Sequence, residues 1–314
     1  MEVASSIQAE HAVRRTGLII FGVLQIILGL LSAAVVLIVA ASEELAKRAE
    51  QAPSGAALAS ALVVYGIGAA YFITVGIGSL RGRRWARSLS VVVSALWGVA
   101  GIVGGLMTAV VLPRTLAAAG STQTTMIGGC AALVILVAGI ALPLVIHLFY
   151  RREDVRVTFE LLDPKPRWTD RVPLPVLAVV LVLGFGAIAL TANLGNPRLM
   201  LFGREIAGTP AAMMLFAFAG LSAVLAVQLY RLKESAWWTL ILLQIAGIAV
   251  GISIVATTEP SGAAPGTVAE IADVYRDPWF IAVFAATWIG YFAFLLYLRR
   301  FFVLSPAPLT RRDD

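Results

Sequence analysis

The chain has 314 residues, of which 60% are hydrophobic and only 13% are charged, and its formal net charge is +6. Soluble proteins contain about 25% charged residues, so this composition excludes an ordinary soluble domain and predicts a membrane protein. Membrane topology and attraction to anionic headgroups account for the positive charge. We therefore predict the lipid bilayer, and no nucleic acid, as the partner of the basic residues.

Eight uncharged stretches are each long enough to cross a hydrocarbon core of about 30 Å as a helix. They cover residues 16–41, 56–80, 88–112, 126–149, 172–192, 211–230, 236–257 and 278–298. The first is longer than the roughly 7 to 15 apolar residues of a cleaved signal peptide, so we expect a retained helix. Lipid-exposed backbone must be hydrogen-bonded within its own segment. The sequence thus predicts an all-α, polytopic integral membrane protein with eight transmembrane helices.

Basic residues mark one side of the membrane. The N-terminal segment, the segments after stretches two, four and six, and the C-terminal segment together hold 18 of the 24 Lys and Arg residues. Positively charged loops resist translocation, so these segments are predicted to be cytoplasmic. Both termini then lie on the cytoplasmic side.

The two halves of the chain have matching loop layouts. The short turn "LRGRRWAR" at 80–87 is similar to "YRLKESAWW" at 230–238, and the exit "FYRR" at 149–152 is similar to "YLRR" at 297–300. Each half holds four stretches, an even number, so the second half re-enters the membrane from the same side. We predict two parallel four-helix repeats, residues 1–150 and 172–314, joined by a Pro-rich cytoplasmic connector, residues 151–171.

The connector begins with alternating apolar and polar residues at 155–161, a period of two that predicts a short extended segment. Arg167 and Trp168 suit an interfacial anchor, with the ring among the headgroups and the guanidinium beside a phosphate. One hypothesis makes the connector a rigid clip between the halves. The other makes it a partner-docking surface, with an exposed edge strand at 155–161 that accepts strand addition.

Chemistry-bearing residues are scarce at membrane depth. None of the eight stretches contains Asp, Glu, Lys or Arg, and the chain has two histidines and one cysteine. We therefore predict no proton relay, no metal site and no enzymatic activity. His147 lies one turn before Arg151 and could ligate a haem or chlorophyll, although such a histidine more often bonds a neighbouring carbonyl. No cofactor is predicted.

Four polar or amphipathic side chains lie well inside predicted spans. They are Gln25, Trp97, Gln244 and Trp288. Their amide and indole groups need hydrogen-bond partners, usually across helices, and the alternative is that they line a solute path.

Two GxxxG pairs predict close helix packing. Gly101 and Gly105 form the first, and Gly247 and Gly251 form the second. The alternative is that glycines of this kind soften a helix that moves.

The connector and the start of the fifth stretch, "DPKPRWTDRVPLPVLAVVLVLGFGA" at 163–187, resemble segments of uncharacterised bacterial multi-span membrane proteins. The resemblance implies a cell membrane, the bacterial inner membrane, and implies no activity. Two functions remain open. The chain is a non-catalytic accessory or scaffold subunit that packs with another membrane protein or with its own copies, or it is a permease or facilitator for a neutral or apolar small solute.

Overall fold

The computed structural model of the chain describes residues 2–48, 59, 62–119, 129, 133–134, 136–195, 197–202, 204–257 and 278–303. Its helices are α1 (Glu2–Arg48), α2 (Ile67–Leu80), α3 (Arg84–Ala119), α4 (Leu142–Arg151), α5 (Glu153–Leu162), α6 (Leu174–Ala192), α7 (Thr209–Tyr230), α8 (Glu234–Thr257) and α9 (Pro278–Val303). Single π turns, Leu62–Gly66 and Val137–Ala141, lead into α2 and α4.

Seven helices within the described residues are long and apolar enough to cross a membrane. They are Arg15–Ser42, Leu62–Leu80, Arg84–Ala109, Leu174–Gly195, Thr209–Tyr230, Glu234–Ser253 and Pro278–Phe302. These correspond to seven of the eight predicted stretches. The remaining stretch, 126–149, is described continuously only from residue 136, as the shorter apolar helix Val137–Arg151. The protein is an all-α, multi-span membrane protein.

Helices that follow one another in the chain pack in antiparallel pairs, α1 with α2 and α6 with α7. Small residues bring α1 and α2 together, since a Cβ added at Gly76 would lie only 2.7 Å from the carbonyl oxygen of Gly22. The buried side chains form one cluster in each half. A third cluster, centred on Val92, Val172 and Leu177, joins α3 to α6 and so connects the halves.

The two short turns, 81–83 and 231–233, have the same backbone hydrogen bonds at equivalent positions. In each turn, two backbone N–H groups donate back to carbonyl groups of the preceding helix. The pairs are Gly82 to Ser79 and Arg83 to Gly78 in the first turn, and Leu232 to Leu229 and Lys233 to Gln228 in the second. This is the Schellman motif, which ends a helix with a residue in the left-handed region. Gly82 has φ +63°, and Leu232 adopts φ +54° although it carries a side chain.

The connector contradicts one prediction. Residues 155–161 lie in helix α5, so the predicted extended segment is wrong, and with it the edge strand for strand addition. The alternating pattern also places Val155, Thr158 and Phe159 on one helical face, and that face is buried against the helix bundle. Glu153 and Asp154 in the first turn favour the helix further through its dipole.

A β-hairpin occupies the segment between α6 and α7, which lies between the fifth and sixth predicted stretches. Strands β1 (Arg198–Leu201) and β2 (Arg204–Ala207) pair antiparallel, with Leu199 opposite Ile206. Strands of four residues are too short for periodicity to reveal them. The hairpin and α7 meet at Gly208, whose φ of +71° favours glycine.

Candidate functional sites: a closed polar cluster and an apolar groove

Gln25 lies at the centre of a buried polar cluster in the first half. Its Nε2 donates to Ser90 Oγ over 2.9 Å, and its Oε1 accepts from Ser79 Oγ over 3.4 Å. The Tyr150 hydroxyl donates to Ser79 Oγ over 2.8 Å. At most 1% of each of these four residues is exposed. These four side chains, one from each of α1, α2, α3 and α4, thus form hydrogen bonds with one another inside the bundle.

The equivalent positions of the second half are apolar. When the two short turns are aligned, Ser79 corresponds to Leu229 and Ser90 to Leu240, and both leucines are buried in the apolar cluster of that half. These two aligned positions therefore carry buried hydroxyl groups in one half and buried leucine side chains in the other. Among the described residues, this polar cluster belongs to the first half.

The four residues of the hypothetical solute path divide between the halves. Trp97 packs edge-on against Phe72, with ring centroids 5.4 Å apart, beside the first apolar cluster. Gln244 is buried in α8, and its Nε2 has no hydrogen-bond partner among the described residues. Trp288 lies on α9, 3.5 Å from the position of a Cβ added at Gly247.

His147 is held by the backbone of the neighbouring helix α3. Its Nδ1 lies 3.1 Å from the Val91 carbonyl oxygen and 3.4 Å from Ser94 Oγ. A carbonyl oxygen only accepts, so Nδ1 is the donor in this bond and Nε2 is the ring nitrogen left for a ligand. The described residues contain no group of three or more His, Cys, Asp or Glu side chains that could hold a metal ion. A haem or chlorin would therefore depend on this single nitrogen.

The glycine pairs lie at helix crossings of unequal tightness. A Cβ added at Gly101 would overlap the backbone of Gly139, whereas at Gly105 it would lie 3.8 Å from Ile140 Cδ1. In the second half, a Cβ added at Gly247 or Gly251 would make an ordinary contact with an aromatic ring of α9 at 3.5 Å. Of these four glycines, only Gly101 is thus in contact with the backbone of a partner segment.

An apolar groove of about 890 Å³ runs between α8 and α9. The residues that line it are all Ile, Leu, Ala, Gly, Phe or Trp, and they include Gly251, Phe284 and Trp288. Ile252 is 62% exposed and Ile289 is 70% exposed, so the groove is open at the surface of the helix bundle. Its chemistry suits an apolar occupant and offers no acid, base or nucleophile.

Asp163 joins the connector to the first half. The Arg167 guanidinium donates to both carboxylate oxygens, over 2.7 and 2.9 Å, and the backbone N–H of Arg84 donates over 3.3 Å. These interactions, the Arg167 hydrogen bond above all, lower the pKa of the Asp163 carboxyl group below its ordinary value. The Tyr230 hydroxyl of the second half donates to the Trp168 carbonyl oxygen over 2.9 Å. The connector is therefore hydrogen-bonded to both halves.

Arg167 and Trp168, the residues of the predicted interfacial anchor, make different contacts. Arg167 directs its guanidinium to Asp163, four residues earlier, and its backbone N–H donates to the side chain of Asp170. The ring of Trp168 remains exposed, at 44%. The sequence pattern does not single out Asp163. Residues 163–167 are not helical, so a spacing of four residues from Arg167 gives no signal that the two side chains meet.

The polar cluster provides the first test. We expect Gln25→Leu to lower the free energy of unfolding by about 1–2 kcal/mol, because the hydroxyl groups of Ser79 and Ser90 lose their bonds to the buried amide. Gln244→Leu, the same change in the other half, should leave stability equal or higher, because it removes a buried amide nitrogen without a described partner. Unfolding of the purified protein by SDS in mixed micelles measures the free energy of unfolding of both variants. Equal losses of stability would contradict the hydrogen bonding assigned to Gln25.

Comparison of the chain with models of protein families, with curated proteins and with solved structures found no match. No residue therefore acquires a role by similarity. A function can be proposed from three features of the structure. They are the buried polar cluster around Gln25, the connector that is hydrogen-bonded to both halves, and the apolar groove between α8 and α9.

Proposed function

We propose that this chain is a non-catalytic accessory or scaffold subunit that packs with another membrane protein. The observation that carries the proposal is the groove between α8 and α9, which is open at the protein surface and is lined by apolar residues alone. Within a membrane, an apolar groove can bind lipid chains or protein, whereas a path for a polar solute needs polar groups aimed into a cavity. The Gln25 amide is instead bonded within its own half.

We also propose that the chain has eight spans, arranged as two parallel four-helix repeats joined by the connector. The identical bonding of the two short turns supports this arrangement. So do Arg87 and Trp237, which occupy equivalent positions when those turns are aligned. Arg87 Nε donates to the Tyr150 carbonyl and Trp237 Nε1 to the Leu295 carbonyl, so each fixes the third helix of its half to the fourth.

The proposed location is a bacterial inner membrane, with both termini in the cytoplasm. Four exposed arginines lie at or next to the C-terminal ends of helices, on the side of the two short turns. They are Arg81, Arg151, Arg231 and Arg299. Basic residues at one set of helix ends are typical of the cytoplasmic side.

The function is tested by extraction from the native membrane in a mild detergent, followed by native mass spectrometry and a visible absorption spectrum. We expect a protein partner at fixed stoichiometry. Ala285→Trp, which fills the groove, should raise the Kd for the partner about tenfold, a change equivalent to about 1.4 kcal/mol. Ala217→Trp on the exposed surface of α7 is the matched control and should retain the partner.

A colourless monomer that carries only lipid would contradict the accessory function. Flux of neutral solutes into liposomes, measured with Gln25→Ala and Gln244→Ala, would then test the permease hypothesis. A stoichiometric absorption band in the visible range would instead direct attention to His147.

A further inference from the structure

The arginines at the exits of the two halves have different partners. The exit sequences "FYRR" and "YLRR" align Arg151 with Arg299 and Arg152 with Arg300. The Arg152 guanidinium donates to both carboxylate oxygens of Asp154, over 3.1 and 3.3 Å. Among the residues that the structure describes, neither Arg299 nor Arg300 forms a salt bridge. The positive charge of the second exit is therefore not neutralised by the described part of the chain.

The connector supplies the carboxylates that pair with arginines of the first half and of the connector itself. It pairs Arg83 and Arg167 with Asp163, Arg84 with Glu160 and Asp170, and Arg156 with Glu153 and Glu160. No equivalent segment follows α9 within the described residues, which end at Val303. Glu234, in the first turn of α8, forms no salt bridge with a described residue. The second exit thus retains two basic side chains that can bind an external anion.

Two indole rings hold Arg299 in place. The guanidinium carbon lies 5.8 Å from the ring centroid of Trp237 and 5.9 Å from that of Trp238. Trp237 is itself fixed, because it is buried and its Nε1 donates to the Leu295 carbonyl oxygen over 2.8 Å. A side chain restrained by cation–π contacts loses less rotamer freedom when its N–H groups bind an anion. Arg299 is therefore preorganised for such binding.

The position of this cluster along the helices indicates which anion it meets. The span of α9 ends at Phe302 and that of α8 begins at Glu234, so Arg299 and Trp238 both lie near the ends of spans. Arginine and tryptophan at span ends are placed among the lipid headgroups. Trp238 is 48% exposed, and its indole N–H has no hydrogen bond to a described residue. The anionic group common at this level is the lipid phosphate, which arginine binds through paired N–H donors.

We infer that Arg299, Arg300 and Trp238 bind the headgroup phosphate of an anionic phospholipid. Arg299 and the Trp238 indole N–H donate to the phosphate oxygens, and Arg300 adds a second positive charge. Two cations without a described carboxylate partner favour a headgroup with net negative charge over a zwitterionic one, whose ammonium group they repel. This lipid site is separate from the accessory function and does not depend on it.

Lipid titration of the purified, lipid-depleted full chain in detergent tests the inference, with native mass spectrometry as the readout. The probes are phosphatidylglycerol and phosphatidylcholine with the same acyl chains. We expect phosphatidylglycerol to bind more tightly, and Arg299→Gln to raise its Kd about tenfold through loss of a charge-assisted hydrogen bond. The matched control is Arg151→Gln, because Arg151 is the aligned and equally exposed arginine, and this variant should bind like the parent.

Three results would overturn the inference. Equal affinity for the two lipids would show that the site does not select an anionic headgroup. Equal losses in Arg299→Gln and Arg151→Gln, or no loss in either, would leave only diffuse attraction to the basic surface. Displacement of the lipid by inorganic phosphate at the same concentration would make the ligand a soluble phosphate.

A second variant keeps the test decisive if Arg299→Gln does not fold. Trp238→Phe retains an aromatic ring beside Arg299 and removes only the indole N–H. It should raise the Kd for phosphatidylglycerol about threefold, as expected for one hydrogen bond, and leave that for phosphatidylcholine unchanged. An unchanged Kd for phosphatidylglycerol would contradict the assigned role of Trp238 and with it the site as described.

Discussion

Gly101→Ala is expected to lower the free energy of unfolding by about 3 kcal/mol, the upper end of the usual cost of overpacking at a tight contact. The added methyl group would overlap the carbonyl group of Gly139, and a backbone atom cannot move aside as the end of a flexible side chain can. Helix α3 would have to shift away from the π turn before α4, with loss of the contacts along the crossing.

Gly98→Ala and Gly104→Ala are the matched controls on the same helix. A Cβ added at either position would meet no atom of the described residues within 4 Å. Alanine is favoured over glycine within a helix by roughly 0.5–1 kcal/mol, so both variants should be as stable as the parent or more stable. SDS titration of the three purified variants measures the differences. A Gly101→Ala variant as stable as Gly98→Ala would contradict the close crossing.

Asp163→Ala is expected to destabilise the protein by about 2 kcal/mol, since charge-assisted hydrogen bonds contribute roughly 1.5–3 kcal/mol each when they are buried. The side chain of Asp163 is only 4% exposed, and its loss removes two such bonds from Arg167 and one from the backbone of Arg84. The total is reduced because Arg167 is one-third exposed to solvent, which screens the interaction. Glu205→Ala, which breaks the exposed pair with Arg198, should change stability by less than about 1 kcal/mol.

The stabilisation by Asp163 should depend on pH. Its pKa is lower in the folded protein than in the unfolded chain, so the contribution is fully present above the ordinary aspartate pKa of about 3.9. As the pH falls from there through the lowered folded pKa, the carboxylate is protonated and the contribution is lost. Thermal unfolding in detergent should show a gap between the parent and Asp163→Asn at pH 7 that closes in acid. A gap that persists unchanged below the folded pKa would show that the loss arises from packing and not from charge.

Hydropathy predicts the membrane spans because the requirement is local. A segment that crosses hydrocarbon must be apolar and about 20 residues long, whatever its neighbours are. Proline is favoured in the first turn of a helix for an equally local reason, and Pro210 is the second residue of α7 while Pro278 is the first residue of α9. The prediction for the segment 155–161 is wrong because, over so few residues, the same pattern fits both the two-residue period of a strand and the 3.6-residue period of a helix. Burial of Val155 and Phe159 against the bundle favours the helix.

The positions of single site residues are only partly accessible from sequence. Gln25 stands out in an apolar helix, but Ser79, Ser90 and Tyr150 are ordinary residues in their own segments and are joined to it by packing across three other helices. The two GxxxG pairs look alike as sequence. Only the residue that faces each pair, Gly139 or an aromatic ring, makes one crossing tight and leaves the other beside a groove.

Composition, segment length and charge distribution are sufficient to specify an all-α membrane protein with short basic turns, because they act through the bilayer and need no tertiary contact. Helix packing is needed to enclose the Gln25 amide within its own half, to bind the connector to both halves through Asp163 and Tyr230, and to hold α8 and α9 apart. Each of these features depends on which side chains meet between helices distant in sequence. Within lipid that pairing is set by shape and hydrogen bonding, which hydropathy does not encode.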